Sequence, residues 1–233
     1  MLDFDLTKLE PLIAGYFFPF VRIGACLMVA PVFGAGFVPA RLRLMLAGAL
    51  SLLVAPLLPQ QSLPALLSLG TLTLTAQELI IGAAIGFSLQ LVFDALALGG
   101  QLLANGMGLG VAFNIDPLRG VSTPALGQFY VVLGTLIFLA LDGHTALLQM
   151  TVDSFRGLPV GGPGLGPDAL RALADWGSIM FSGALGIALP GVTALLVVNL
   201  AFGVISRTAP ALNLFAVGLP VTLAIGTAVV LYG

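Results

Sequence analysis

Charge is what this chain has least of: eight Lys and Arg with ten Asp and Glu make 8% of its 233 residues, where a soluble domain carries about a quarter. So little polar surface cannot face water on all sides, and a bilayer or a large protein assembly must serve as solvent. The net charge of −2, with basic residues scattered along the chain, excludes the basic face that binds nucleic acid. A single cysteine, Cys26, excludes a disulfide framework. A single histidine, His144, excludes the HExxH motif and any Cys/His metal cluster, so neither metal nor cofactor is expected. It follows Asp142-Gly143 and reads as a turn residue at a membrane edge. No G-x-S-x-G elbow occurs, and Gly106-Met107-Gly108-Leu109-Gly110 has neither the Walker A lysine nor dinucleotide-fingerprint spacing. The chain is expected not to be an enzyme. Its acidic opening, Met1-Leu2-Asp3-Phe4-Asp5, lacks the basic start of a cleaved leader.

Apolar residues are what the chain has in abundance: 59% are hydrophobic and the mean hydropathy is +1.13. About six apolar runs account for this, near Leu12–Val32, Leu44–Leu58, Leu79–Leu98, Ala125–Leu141, Ile179–Ile205 and Leu212–Tyr232. Each predicts a helix, and together they predict an all-α, polytopic membrane-type protein. Crossing a hydrocarbon layer of about 30 Å takes roughly 20 helical residues. The first, third and last runs meet that length, whereas the second and fourth are short for a simple span. Prolines lie in or beside the runs at Pro19, Pro31, Pro56, Pro190 and Pro220, and each predicts a kink or break. Pro190-Gly191 interrupts the fifth run. Thirty glycines allow close helix approach, as at the GxxxG pair Gly82 and Gly86. Short, proline-broken, glycine-rich segments predict packing against other protein.

Two loops separate these runs. Asn105–Pro124 is Gly-rich, lacks helical periodicity and, at about 20 residues, has the length of a functional or moving loop. Gly157–Pro167 reads as a connector, with Asp168 after it as a helix N-cap and Trp176 suited to a membrane interface or an assembly surface. Placing Arg41, Arg43, Arg119 and Arg207 on the cytoplasmic side puts the N-terminus outside, against Lys8, Arg156 and Arg171.

The polar residues inside the runs carry the remaining information. Arg22 lies near the middle of the first run and needs a partner or a wet cavity. Glu78 and Asp94 fall about 160° apart on a straight helix, so they do not form a paired-carboxylate site. Arg22 and Glu78 suit an ion pair, with each other or with a neighbouring chain; the alternative is a role in coupled transport. Asn199 suits an interhelical hydrogen bond.

Taken in order, these residues resemble the FliR family of flagellar type III export-gate proteins and its injectisome counterparts. Arg22, Ala30-Pro31-Val32-Phe33-Gly34, Val38-Pro39 and Arg41 match the opening pattern, and Glu78, Gly82 and Gly86 the next signature helix. Gly106-Met107-Gly108 and Asp116-Pro117 match the following loop, and Leu141-Asp142-Gly143-His144, Ser154-Phe155 and Pro159 continue the match. Asn199-Leu200-Ala201-Phe202-Gly203, Ala209-Pro210, Asn213, Phe215 and Gly218-Leu219-Pro220 complete it. Two departures stand out: Ala211 replaces a frequent glutamine, and the chain ends at Gly233, where the family pattern continues into a polar tail.

The resemblance implies a non-enzymatic, pore-forming subunit. It would pack with FliP- and FliQ-type proteins into a hetero-oligomeric helical ring in the bacterial inner membrane at the flagellar basal body. Further export-apparatus proteins, membrane lipid and transiting unfolded substrates would be its other partners. Within the chain it implies a FliP-like part over about 1–175 and a FliQ-like part over about 176–233. Arg22, Glu78, Gly82, Gly86, Asn199, Pro210, Asn213, Phe215 and Pro220 would serve helix packing and partner contacts. Gly106, Met107, Gly108, Leu109, Gly110, Val111, Phe113, Asp116 and Pro117 would form a plug inside the pore. Its glycines leave the backbone mobile, and its apolar side chains can close a narrow passage by dewetting. The alternatives are the injectisome counterpart and, from a different class, a small secondary transporter with a site at the helix breaks near Pro190 or Pro220.

Overall fold

The computed structural model describes residues 6–58, 68–109, 125–208 and 218–232. All regular structure among them is helical: α1 (Leu6–Val29), α2 (Ala40–Val54) with a 3-10 turn at Ala55–Leu57, α3 (Leu69–Gly106), α4 (Ala125–Ala140), α5 (Gly143–Gly157), α6 (Pro167–Thr208) and α7 (Leu219–Tyr232). The all-α architecture is the predicted one, with differences in where the helices start, stop and break.

α1 ends just before Pro31, because the residue preceding a proline is pushed out of the helical region. The chain turns tightly there: Gly34 N–H donates to the Ala30 carbonyl at 2.7 Å, and Val32 takes a positive φ of 69°. Such a φ is rare for a β-branched residue. Arg43 of α2 holds the same turn by donating from Nη2 to the Ala35 and Val38 carbonyls at 2.6 and 2.7 Å. α2 and its 3-10 turn give an apolar stretch of 18 residues, Ala40–Leu57, so the second run reaches spanning length after all.

α3 outruns its apolar segment, and the break predicted at Pro190 is absent. α3 runs 38 residues, well beyond the apolar run at its centre and through Asn105-Gly106. α6 runs 42 residues with Pro190 inside it. Pro190 cannot donate to the carbonyl four residues earlier, which costs a hydrogen bond, but packing keeps the turns on both sides in line. Ala184, Ala188 and Leu195 share one fully buried face. On that face Gly191 lets the Leu103 side chain of α3 press onto the α6 backbone. Pro19 is likewise accommodated within α1. Pro220 falls in the first turn of α7, where proline loses no intrahelical bond. Pro167 opens α6 in the same way, which puts Asp168 inside the first turn and not at the N-cap.

One helix escaped the hydropathy scan. α5 is amphipathic, with Leu147, Thr151 and Phe155 buried at i, i+4 and i+8 and Gln149, Asp153 and Arg156 among its other residues. Asp142 adopts the left-handed conformation at φ 54° and turns the chain into α5, so His144 lies in its first helical turn. α4 and α5 meet at a bend of 70°.

Among the described residues, three stretches are long and apolar enough to cross a membrane, Ala40–Leu57, Leu69–Gly106 and Pro167–Arg207, and the bent α4–α5 pair makes a fourth if it is one span. At 1.5 Å per residue, the 38 and 41 residues of the latter two stretches are about twice as long as the hydrocarbon layer is thick.

The chain divides into two compact units. The first comprises Met1–Leu91 and Phe138–Trp176. Its core joins Ile23 and Leu27 of α1, Ala47 and Val54 of α2, and Phe155 of α5, beside a second cluster of Cys26, Ala30 and Leu147. The second unit comprises Val92–Ile137 and Gly177–Gly233. Its helices meet backbone to backbone at glycine: a Cβ on Gly100 would lie 2.8 Å from Gly127 Cα, and one on Gly99 would lie 3.2 Å from the Ala184 carbonyl.

Candidate functional site

In the first unit the polar residues of α1, α3 and α5 converge on Arg22. Its Nε donates to Glu78 Oε2 at 2.5 Å and its Nη2 to Glu78 Oε1 at 2.9 Å, a bidentate pair with both side chains fully buried. Nη2 also donates to the Leu158 carbonyl at 2.8 Å, and Nη1 to Ser154 Oγ at 3.1 Å. Ser154 is oriented for this by donating to the Thr151 carbonyl at 2.6 Å. The Phe155 ring closes the cluster, with the guanidinium carbon 4.0 Å from its centroid.

Four of the five guanidinium N–H groups are thus engaged. A buried charge pair survives only when its hydrogen bonds are this complete. The ensemble is closed to water, and it fixes helices without offering a reactive position. Its neighbourhood is equally tight. A Cβ on Gly82 would collide with the Arg22 carbonyl oxygen and lie 2.9 Å from its carbon, and one on Gly86 would lie 2.6 Å from the Cys26 carbonyl. The connector after α5 is held at two points, Leu158 by Arg22 and Gly162 by Gln77, whose Nε2 donates to the Gly162 carbonyl at 2.9 Å.

In the second unit the C-terminal end of α3 leads into the glycine-rich loop. A helix leaves its last carbonyls without intrahelical donors. Here the Gly106 carbonyl lies 3.5 Å from Asn199 Nδ2 of α6, and the Met107 carbonyl 3.4 Å from Thr222 Oγ1 of α7. Met107 is buried, and Gly108 turns the chain out of the helix at φ +79°. Among the described residues, no group of three or more His, Cys, Asp or Glu side chains could hold a metal ion.

Comparison with known proteins gives this architecture a family. Residues 13–233 match the family described as bacterial export proteins, family 1. The chain belongs to this family of bacterial export proteins. It is similar to the flagellar biosynthetic protein FliR of Escherichia coli K12, 38% identical over 91% of this chain and 80% of that protein. FliR of Pectobacterium carotovorum is also 38% identical, over 97% of this chain and 86% of its own length. FliR of Aquifex aeolicus is 31% identical over 97% and 88%.

Of the residues that resemblance to the export family singled out, Arg22, Glu78, Gly82 and Gly86 come together in the first unit, all within this one chain. Gly82 and Gly86, expected to face partners, lie against the chain's own α1. Gly106, Met107, Gly108 and Asn199 come together in the second unit, with Leu109 half-buried beside them and Pro220 exposed on α7. Gly110, Val111, Phe113, Asp116 and Pro117 fall in 110–124, and Pro210, Asn213 and Phe215 in 209–217, outside the described residues. Sequence reasoning missed Gln77, Thr222 and Gly226. Gln77 is polar within a helical run, and Thr222 and Gly226 stand at i, i+4 on one face of α7, a spacing that could have flagged them.

Proposed function

We propose that this member of the export family is a structural, pore-forming subunit of the bacterial flagellar type III protein export gate. It packs with FliP- and FliQ-type subunits in the inner membrane, and unfolded flagellar proteins pass through the assembly. The observation that carries this reading is family membership over residues 13–233, with FliR proteins 38% identical. The names of these relatives favour the flagellar apparatus over the injectisome.

Two physical features support an assembled subunit. Helices twice as long as the hydrocarbon layer extend beyond lipid and need protein around them. Ile179, Phe181, Leu185, Leu196, Val197, Leu200 and Val204 leave much of the α6 surface apolar and exposed in the single chain. In this reading the glycine-rich loop seals the pore at rest. In this reading the FliP-like part ends near residue 175 and the FliQ-like part follows; the compact units divide the chain differently, since the second also takes in Val92–Ile137.

Purification of the tagged chain from native membranes tests the reading, with FliP- and FliQ-type proteins expected to accompany it. Recovery of a lone monomer that moves a small solute across liposomes would overturn it. Deleting Gly106–Gly110 is expected to leave assembly intact and make the closed gate leak ions.

A further inference from the structure

α2 gives one narrow stripe to the protein core and leaves the rest of its surface bare. Ala47, Ser51 and Val54 are buried at i, i+4 and i+7. Away from that stripe, Arg41, Met45 and Leu52 fall at i, i+4 and i+11, within about 40° of one another on a helix, and all three are exposed. Arg41 is the one charged residue of this outer stripe and stands at its N-terminal end. The apolar stretch Ala40–Leu57 has 18 residues, so it spans about 27 Å, close to the thickness of one hydrocarbon layer. Arg43 lies on the other side of the helix and ties down the turn that precedes it, through the Ala35 and Val38 carbonyls. Its Nε is buried without a partner, and among the described residues neither arginine has a carboxylate within ion-pair distance. The first turn of α2 holds no acidic residue and no side chain caps it, so the helix N-terminus adds its own partial positive charge there. Phe37, in the tied turn, is 81% exposed.

We propose that the turn before α2 and the helix face led by Arg41 form a docking surface for anionic lipid. Arg41 meets the headgroup phosphate, Phe37 lies at the headgroup boundary as exposed aromatic side chains do, and Met45 and Leu52 lie against the acyl chains. Two features select lipid over another protein as the occupant. The bare stripe has the length of one hydrocarbon layer, and its one charge stands at the end where the phosphates lie. A protein partner requires neither. The two guanidinium charges and the helix N-terminus have no countercharge within the chain, so an anion completes them. A lipid with net negative charge does this better than a zwitterionic one, whose own cation offsets its phosphate. Arg43 is a positioning residue, since its two carbonyl contacts set where Phe37 and the first turn of α2 stand. The inference requires a membrane around α2 and does not depend on the pore proposed above.

The test takes the full chain, with the proteins that accompany it from native membranes, into vesicles of equal parts phosphatidylglycerol and phosphatidylcholine. A photoreactive diazirine side chain in place of Met45 captures whatever lies against the stripe, and mass spectrometry identifies the adducts. Phosphatidylglycerol adducts are expected to outnumber phosphatidylcholine adducts about fivefold, the ratio that ~1 kcal/mol for one basic side chain at an anionic surface brings. Arg41→Lys is expected to keep that excess and Arg41→Gln to bring the two lipids level. Both exchanges fall on an exposed side chain, so the folded chain is expected in unchanged yield. The excess should also shrink as salt is raised. Equal capture of the two lipids by the parent chain would overturn the headgroup recognition, and so would an excess that survives in Arg41→Gln. Adducts with protein in place of lipid would overturn the docking surface itself. Failure of the pore reading would leave each of these outcomes where it stands.

Discussion

Both units bring helices to backbone contact at glycine, and they differ in what else holds them. In the first, a fully buried arginine and glutamate bind α1 to α3, and the same arginine reaches Ser154 and the Leu158 carbonyl beyond them. In the second, glycines bring helices to backbone contact, and the end of α3 is held by weak polar contacts and one methionine. The difference matters where lipid replaces water. Lipid tails solvate Leu as well as a neighbouring helix does, so apolar burial alone gives little drive for association. A charge pair buried against such a background is directional and hard to exchange for another arrangement. Glycine packing gains dispersion over a fitted surface and is far more easily displaced.

The sharpest way to break this contrast is to remove one half of the charge pair. Arg22→Met leaves Glu78 buried and unpaired, and is expected to cost about 3–5 kcal/mol. Loss of the folded chain from membranes and faster proteolysis would report it. Arg22→Met combined with Glu78→Met replaces both ions with apolar side chains and is expected to recover most of that loss. If the double variant is as unstable as the single one, the ion pair is not what holds the first unit.

Glycine substitutions sharpen the comparison at intermediate size. A Cβ on Gly82 meets the Arg22 backbone, which cannot move without shifting α1 and the charge pair with it. Gly82→Ala is expected to cost about 1–3 kcal/mol, and Gly82→Leu to abolish co-purification with partners by way of the chain's own fold. In the second unit a Cβ on Gly134 meets only the tip of the Leu96 side chain, which can change rotamer. Gly134→Ala is expected to cost under about 1 kcal/mol, the rotamer strain being offset by better helix propensity. Proteolysis midpoints of the two variants, measured side by side, check this. Equal losses would mean that the cost does not depend on whether the added Cβ meets backbone or a side-chain tip.

How far this was legible in the sequence depended on whether a residue's neighbours are local. The need for a partner at Arg22 follows from one buried charge in an apolar run, and Glu78 was the available acid. Ser154 and the Leu158 carbonyl could not be chosen in advance, because they come from a helix that the hydropathy pattern hides. α5 mixes Gln149, Asp153, Ser154 and Arg156 with its apolar residues, so only the helical period of Leu147, Thr151 and Phe155 identifies it. Pro190 misled in the other direction. Local chemistry predicts a break there, and packing at Ala184, Ala188, Gly191 and Leu195 overrides it. At Met107 the sequence shows an apolar residue among glycines. Its place on Gly226 depends on a helix more than a hundred residues later, which no local pattern encodes.

The smallest expected effect belongs to an exposed ion pair of the first unit, and it isolates what burial contributes. Arg156 Nη1 donates to Asp153 Oδ1 at 3.0 Å, three residues apart on α5, with side chains 84% and 62% exposed. The charged groups are of the same kind as in the Arg22–Glu78 pair, but here a single contact is made, water and salt screen both ions, and ordering two free side chains offsets the attraction. Arg156→Ala is therefore expected to change stability by less than about 0.5 kcal/mol, within the scatter of the proteolysis assay that registers Arg22→Met. The residual effect should shrink further as salt is raised, since exposed charges are screened over about 10 Å at 0.1 M ionic strength. The Arg22→Met loss should hardly respond to salt, because its charges are beyond the reach of mobile ions. A salt-independent loss at Arg156 would mean that this end of α5 is covered by another protein in the native membrane, and that its exposure belongs only to the single chain.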